Sequence, residues 1–256
     1  MPLPVLDRWD ETRDALHRAA DVLGRIRKAG VPPQPNALHL ALFVTRDGLT
    51  TGPLANGAHV DLDFRSISVR GSAVGSGAFE IPLREHQPQS LLDALTGQLG
   101  LNALSVDTSA ATIPFDLDAG LASDYADTLN AVYTGLARFR AQLLGTMTPL
   151  VVWPHGFDLS GLWFFGHDPD EHSKPHVNLG FSPGSEGLPR PYLYAYASPW
   201  PAGAEARVLP APARWHRASW NGAVANYDDF RATADSAQTV EELAAEFFEV
   251  LTSDRR

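Results

Sequence analysis

The sequence predicts an α+β protein in which antiparallel sheet packs against three long helices. Three observations carry that expectation. Long stretches repeat their apolar residues at helical spacing, whereas the segments between them alternate apolar and polar as strands do. Those strand-like segments also follow one another through short Gly, Pro and Asp turns, which suit antiparallel pairing and not the long crossovers of a parallel sheet. Finally, 256 residues with 44% hydrophobic and 20% charged side chains have the composition of an ordinary globular protein with a sizeable core.

The first element is a helix over about Asp7–Lys28, where Trp9, Leu16, Ala20, Leu23 and Ile26 share a face and Gly30, Pro32 and Pro33 stop it. Leu38–Val44 is apolar on both faces and reads as a covered strand that ends at an Asp47-Gly48 turn. Val60, Leu62 and Phe64 alternate with Asp61, Asp63 and Arg65, and the phase slips at Arg65-Ser66, where a bulge or tight turn is expected before Ile67 and Val69. Phe79, Ile81 and Leu83 form the next strand after a loop over Gly71–Gly77. Ser90–Leu99 is a short helix. Over Leu121–Leu144, Tyr125, Leu129, Val132, Tyr133, Leu136, Phe139 and Leu143 trace the longest helical stripe of the chain. Leu150–Trp153, Phe157–Phe165, Val177–Phe181, Tyr192–Tyr196 and Trp215–Val224 follow as strands. Thr239-Val240-Glu241-Glu242 has the pattern of a capping box opening a last helix that buries Leu243, Phe247 and Leu251.

These elements fit one compact domain over residues 1–256. They also fit an internal duplication: residues 1–106 and 121–256 would be two similar halves, each a helix, three or four strands and a helix, joined by a linker at 107–120. Leu38–Thr50 (LHLALFVTRDGLT) then corresponds to Leu150–Leu162 (LVVWPHGFDLSGL).

Thirty acidic against twenty basic side chains give a net charge of −10, which repels a phosphate backbone, so nucleic acid is not an expected partner. Cysteine is absent, which excludes disulfides, thiolate nucleophiles and Cys-ligated metals. Met1–Glu11 has no apolar leader core and no aliphatic run approaches a membrane span, so no membrane association and a cytoplasmic location are expected.

Residues 153–220 hold five of the six tryptophans and five of the nine histidines. Chemistry or binding is expected there. Gly180-Phe181-Ser182-Pro183-Gly184 matches the nucleophile-elbow pattern, but Pro183 lacks the N–H that an oxyanion hole needs after the serine. A turn is the better reading. Gly71, Gly75 and Gly77 lack the spacing of a phosphate loop. His167–His176 offers His167, Glu171, His172 and His176 as metal ligands, yet Pro169 and Pro175 forbid the helix that would align the last two, so a solvated loop competes with that reading and no cofactor is expected. Trp153-Pro154-His155-Gly156-Phe157-Asp158 and Trp215-His216 with Trp220 are different, because desolvation and a carboxylate can tune an imidazole set among large apolar groups. Structural histidines beside core tryptophans are the alternative. Tyr192, Tyr194 and Tyr196 share a strand face near Trp200 and make an aromatic wall, suited either to a stacked ligand or to a core.

Several of these residues resemble a family of bacterial proteins known as domain of unknown function 5996. The likeness rests on Trp153-Pro154-His155, Phe157-Asp158-Leu159, Asn178 with Gly180-Phe181-Ser182, YLYAYASPWP over Tyr192–Pro201, Trp215-His216 with Trp220 and Gly222-Ala223-Val224, and Gly48-Leu49-Thr50-Thr51 with Pro53. The resemblance implies a second histidine where Gly156 stands and a glutamine where His176 stands. It therefore favours His155, Asp158 and His216 over a metal site that depends on His176, and it implies no particular activity.

The leading expectation is a cytoplasmic small-molecule-binding protein with Trp153, His155, Tyr194, Trp200, His216 and Trp220 at its pocket. A hydrolase using His155 or His216 as general base, oriented by Asp158 or Glu171 with or without a metal, is the alternative. A protein-interaction module presenting the aromatic strand is a third.

Overall fold

The computed structural model describes residues 2–253 except 74, 76 and 108. Val74 and Ser76 of the expected loop 71–77, Thr108 of the expected linker, and the chain ends Met1 and 254–256 lie outside the described residues. The fold is α+β, with two antiparallel sheets and several helices. Contacts divide the chain into two compact units, one formed by Leu6–Asn130 with Val152–Phe157 and the other by Met1–Val5, Ala131–Val151 and Asp158–Arg256.

The N-terminal unit opens with α1 (Asp10–Gly30), whose Asp10 and Glu11 sit in the first turn and Arg27 and Lys28 in the last, complementing the helix dipole. A five-stranded sheet follows in sequence order, β1 (Phe43–Val44), β2 (Gly48–Thr50), β3 (His59–Asp63), β4 (Ser68–Ala73) and β5 (Gly77–Pro82), then α2 (Pro88–Leu99). The expected slip at Arg65-Ser66 is a tight turn in which Asp63 Oδ1 accepts from the N–H groups of both residues, at 2.9 Å each, and Ile67 takes a left-handed φ of 53°. The expected strand over Leu38–Val44 is mostly absent. Pro35–Leu40 coils into short 3-10 turns with Asn36 and Ala37 left-handed, the Leu38 carbonyl is taken by Arg27 at 3.2 Å, and only Phe43–Val44 enters the sheet. Leu42 instead bridges Val152. The core joins Trp9, Phe64, Tyr125 and Phe157, with Tyr125 within 6 Å of the other three rings.

The helix α3 (Ala119–Gln142) runs from one unit into the other. A second sheet has seven strands, β6 (Thr146–Met147), β7 (Val151–Trp153), β8 (Asp158–Phe164), β9 (His176–Ser182), β10 (Tyr192–Ser198), β11 (Arg214–Arg217) and β12 (Asn221–Asn226), all in the second unit except Val152 and Trp153 of β7. Its order is β11-β12-β10-β9-β8-β6, with β7 beside β8. A one-turn helix, α4 (Tyr227–Phe230), and the long α5 (Ser236–Thr252) complete the second unit. Trp215–Val224, expected as one strand, is a hairpin: Arg217 pairs with Asn221 across a loop that carries Trp220. The last helix begins before the expected capping box, because the Asp235 side chain caps it by accepting from Gln238 N at 3.1 Å. Thr239 lies within the helix and donates back to the Asp235 carbonyl.

Each unit contains the same threonine clip. Thr51 donates its N–H to the Val60 carbonyl and accepts the Val60 N–H on Oγ1, at 2.9 and 3.0 Å, while Arg27 of α1 donates to the Thr51 carbonyl. Thr148 does the same with Leu162 at 2.9 and 2.8 Å, and Arg140 of α3 donates to the Thr148 carbonyl at 3.0 Å.

Candidate functional site

Strand alternation puts Tyr192, Tyr194 and Tyr196 on one face of β10. The register sets them opposite Ser182, Gly180 and Asn178 of β9, with Ser160 of β8 opposite Gly180. Two glycines let rings lie flat on this face. A Cβ on Gly180 would stand 2.6 Å from the Tyr194 Cζ, and one on Gly222 would stand 2.3 Å from Trp220 Cζ3. Leu188, Tyr192, Tyr194 and Val224 form a small cluster there, and Tyr196 and Trp220 pack against it.

The polar groups of this face are tied to the rings. Tyr194 donates its hydroxyl to Asp158 Oδ2 at 2.6 Å, and burial, reinforced by that carboxylate, holds the phenol protonated well above the usual tyrosine range. Burial also raises Tyr196, whose hydroxyl accepts from Asn178 Nδ2 at 2.9 Å. A continuous run of rings leads from Tyr194 and Tyr196, parallel to each other at 6.3 Å, through Trp220 to His216, whose ring centre lies 4.6 Å from that of Trp220. Two buried polar atoms along it have no hydrogen-bond partner: Asn178 Oδ1 and His216 Nε2.

A family model matches residues 2–253, and its description is a family of unknown function, DUF5996. The chain belongs to this family. No curated protein and no solved structure matches it. Membership in DUF5996 carries no activity with it.

Of the residues expected at the site of this DUF5996 protein, the structure joins Tyr194, His216 and Trp220. Trp200 stands apart from them, edge-on to Trp215 at 5.6 Å with its Nε1 donating to Glu205. Trp153 and His155 belong to the N-terminal unit, 6.2 Å apart between ring centres. His155 is exposed and lines a cleft of about 200 Å³ with Asp21, Gly24, Arg25, Lys28, Leu40 and Pro154. Its turn is anchored by Phe157, which is left-handed at φ 54° and stacks on His17 at 5.5 Å. Arg25 is already held by Asp21, Asp107 and the Ser105 carbonyl.

The other motifs fall outside the ring cluster. Ser182 ends β9 and its hydroxyl accepts from Gly184 N in the turn that follows, so no helix opens after it. His167, Glu171 and His172 lie on the loop between β8 and β9, where the backbone folds onto Asp170. That carboxylate accepts from Ser173 Oγ and His172 N, which lowers its pKa. His176 is instead buried on β9, its Nδ1 2.9 Å from the Lys174 carbonyl. Among the described residues no three His, Asp or Glu side chains are placed to share a metal ion. Sequence reasoning did not single out Asn178 and Tyr196 as site residues. The signal was present in Asn178-Leu-Gly180-Phe-Ser182, whose alternate positions are polar or small where a doubly covered strand would be apolar.

Proposed function

We propose that this chain binds a small, planar, polar molecule on the aromatic face of β8, β9, β10 and β12. The observation that carries the reading is the pair of buried, unpartnered atoms, Asn178 Oδ1 and His216 Nε2, set along one run of rings. A buried polar atom left unpaired costs about 1–3 kcal/mol, so two along one ring cluster suit a ligand that supplies their hydrogen bonds. The rings supply faces for stacking, and the Tyr194–Asp158 pair fixes the position of the wall. Binding is favoured over hydrolysis because, among the described residues, no carboxylate holds either ring nitrogen of His216, whereas a general base takes a proton on one nitrogen while a carboxylate orients the other. Helices long and apolar enough to cross a membrane are absent among the described residues. A cytoplasmic location belongs to the proposal and is tested by cell fractionation.

The test is a titration of purified protein with free nucleobases, benzimidazole and nicotinamide, followed by calorimetry. At least one of these planar N–H donors binds, and Asn178→Leu and Trp220→Phe each weaken it tenfold or more. Failure of all of them to bind, or unchanged binding by both variants, refutes the reading.

A further inference from the structure

In the C-terminal unit a groove formed by the last turns of α3 with β6 and β8 opens to solvent. Phe139, Leu143, Met147, Leu150 and Trp163 line it, and Arg140 borders it. It encloses about 300 Å³ counting the open side, of which about 20 Å³ admits the centre of a water molecule, so it is a narrow slot. Gly161 keeps the floor open: a Cβ there would stand 3.0 Å from Leu150 Cδ2. Leu143, Met147, Leu150 and Trp163 are only half-buried, and neighbouring Leu144 is 89% exposed. The slot is therefore an accessible apolar surface, in which Trp163 is held edge-on to Phe165 and Phe248 and donates its Nε1 to the Leu144 carbonyl.

Its cation, Arg140, differs from several other arginines of the chain in holding no carboxylate among the described residues. Arg25, Arg65, Arg70 and Arg190 all hold carboxylates, as a net charge of −10 makes easy. Arg140 makes no ion pair among the described residues; its Nε donates to the Thr148 carbonyl, an attachment that leaves the two Nη groups for other partners. The other arginine of the repeated clip, Arg27, also has no carboxylate, but it is buried and the Phe43 ring lies over it at 4.8 Å. Arg140 borders an open groove where Arg27 has a ring.

We propose that this groove binds an apolar monocarboxylic acid, with its hydrocarbon part in the slot and its carboxylate on the two Nη groups of Arg140. A guanidinium presents paired donors that match a carboxylate, and apolar walls with one oriented polar group are the usual composition of a small-ligand site. The chemistry is independent of the aromatic face, so either site can fail without the other.

The test uses octanoate and 3-phenylpropanoate as probes, with octanamide as the uncharged comparison, read by calorimetry and by the fluorescence of Trp163 against a Trp163→Phe control. An acid binds at least tenfold more tightly than octanamide, and Arg140→Gln removes that advantage. Leu143→Glu, which places a carboxylate in the half-exposed wall and leaves the Thr148 clip intact, weakens the acid by at least tenfold as well. The proposal is overturned if neither acid binds, if octanamide binds as tightly, or if both variants bind the acid like the parent protein.

Discussion

At the scale of the residue, the proposed binding face turns on Tyr194 and its neighbours. Replacing Tyr194 by Phe removes a hydroxyl that donates to a carboxylate at 2.6 Å and is expected to cost about 1–3 kcal/mol in denaturant unfolding. The pH dependence has a definite sign. Because the folded state holds the Tyr194 proton above the unfolded value, its contribution is present below pH about 10 and is lost as pH rises toward the folded pKa. Stability of the parent protein therefore falls more steeply than that of Tyr194→Phe in alkali, which unfolding midpoints between neutral pH and about pH 11 measure. An equal slope in both proteins contradicts the assignment. That Tyr194, His216 and Trp220 share one ring cluster was legible in part, because strand period and tryptophan neighbours are local signals. The separation of Trp200 from them, and of Trp153 and His155 into the other unit, was not, since it depends on how distant segments pack.

At the scale of the element, the sequence marked helices by period and strands by alternation, and it failed where local chemistry competes. Leu38–Val44 alternates well, but prolines and the Arg27 guanidinium remove its backbone partners before a strand can extend. Trp215–Val224 reads as one strand because its turn residues, Ala218-Ser219-Trp220, carry no glycine or proline. Gly222 beside them is instead required by the Trp220 ring, and Gly222→Ala is expected to lose about 1–3 kcal/mol through overpacking, with a changed tryptophan emission. The repeated clip makes a sharper prediction. Thr51→Val and Thr148→Val keep the shape of the side chain and strand the N–H of Val60 or Leu162, so each is expected to cost about 1–3 kcal/mol in chemical denaturation. A negligible cost at both positions would show that the clips are incidental.

At the scale of the whole molecule, neither unit is a continuous stretch of chain. Leu3 donates to the Arg231 carbonyl and the Pro4 carbonyl accepts from Tyr227, while Leu42 and Val152 exchange two hydrogen bonds of 2.8 Å. Expressed separately, residues 1–130 and 131–256 each lack a segment of their own unit and divide α3, so neither is expected to unfold cooperatively by calorimetry. Two sharp independent transitions would contradict this. The central claim is the ligand site on the aromatic face, and side-chain ¹⁵N NMR during titration with the nucleobase, benzimidazole and nicotinamide panel tests it most directly. The account predicts that a binder moves the Asn178 amide and His216 Nε2 resonances together and leaves those of His155 in place; binding that moves neither Asn178 nor His216 would contradict it.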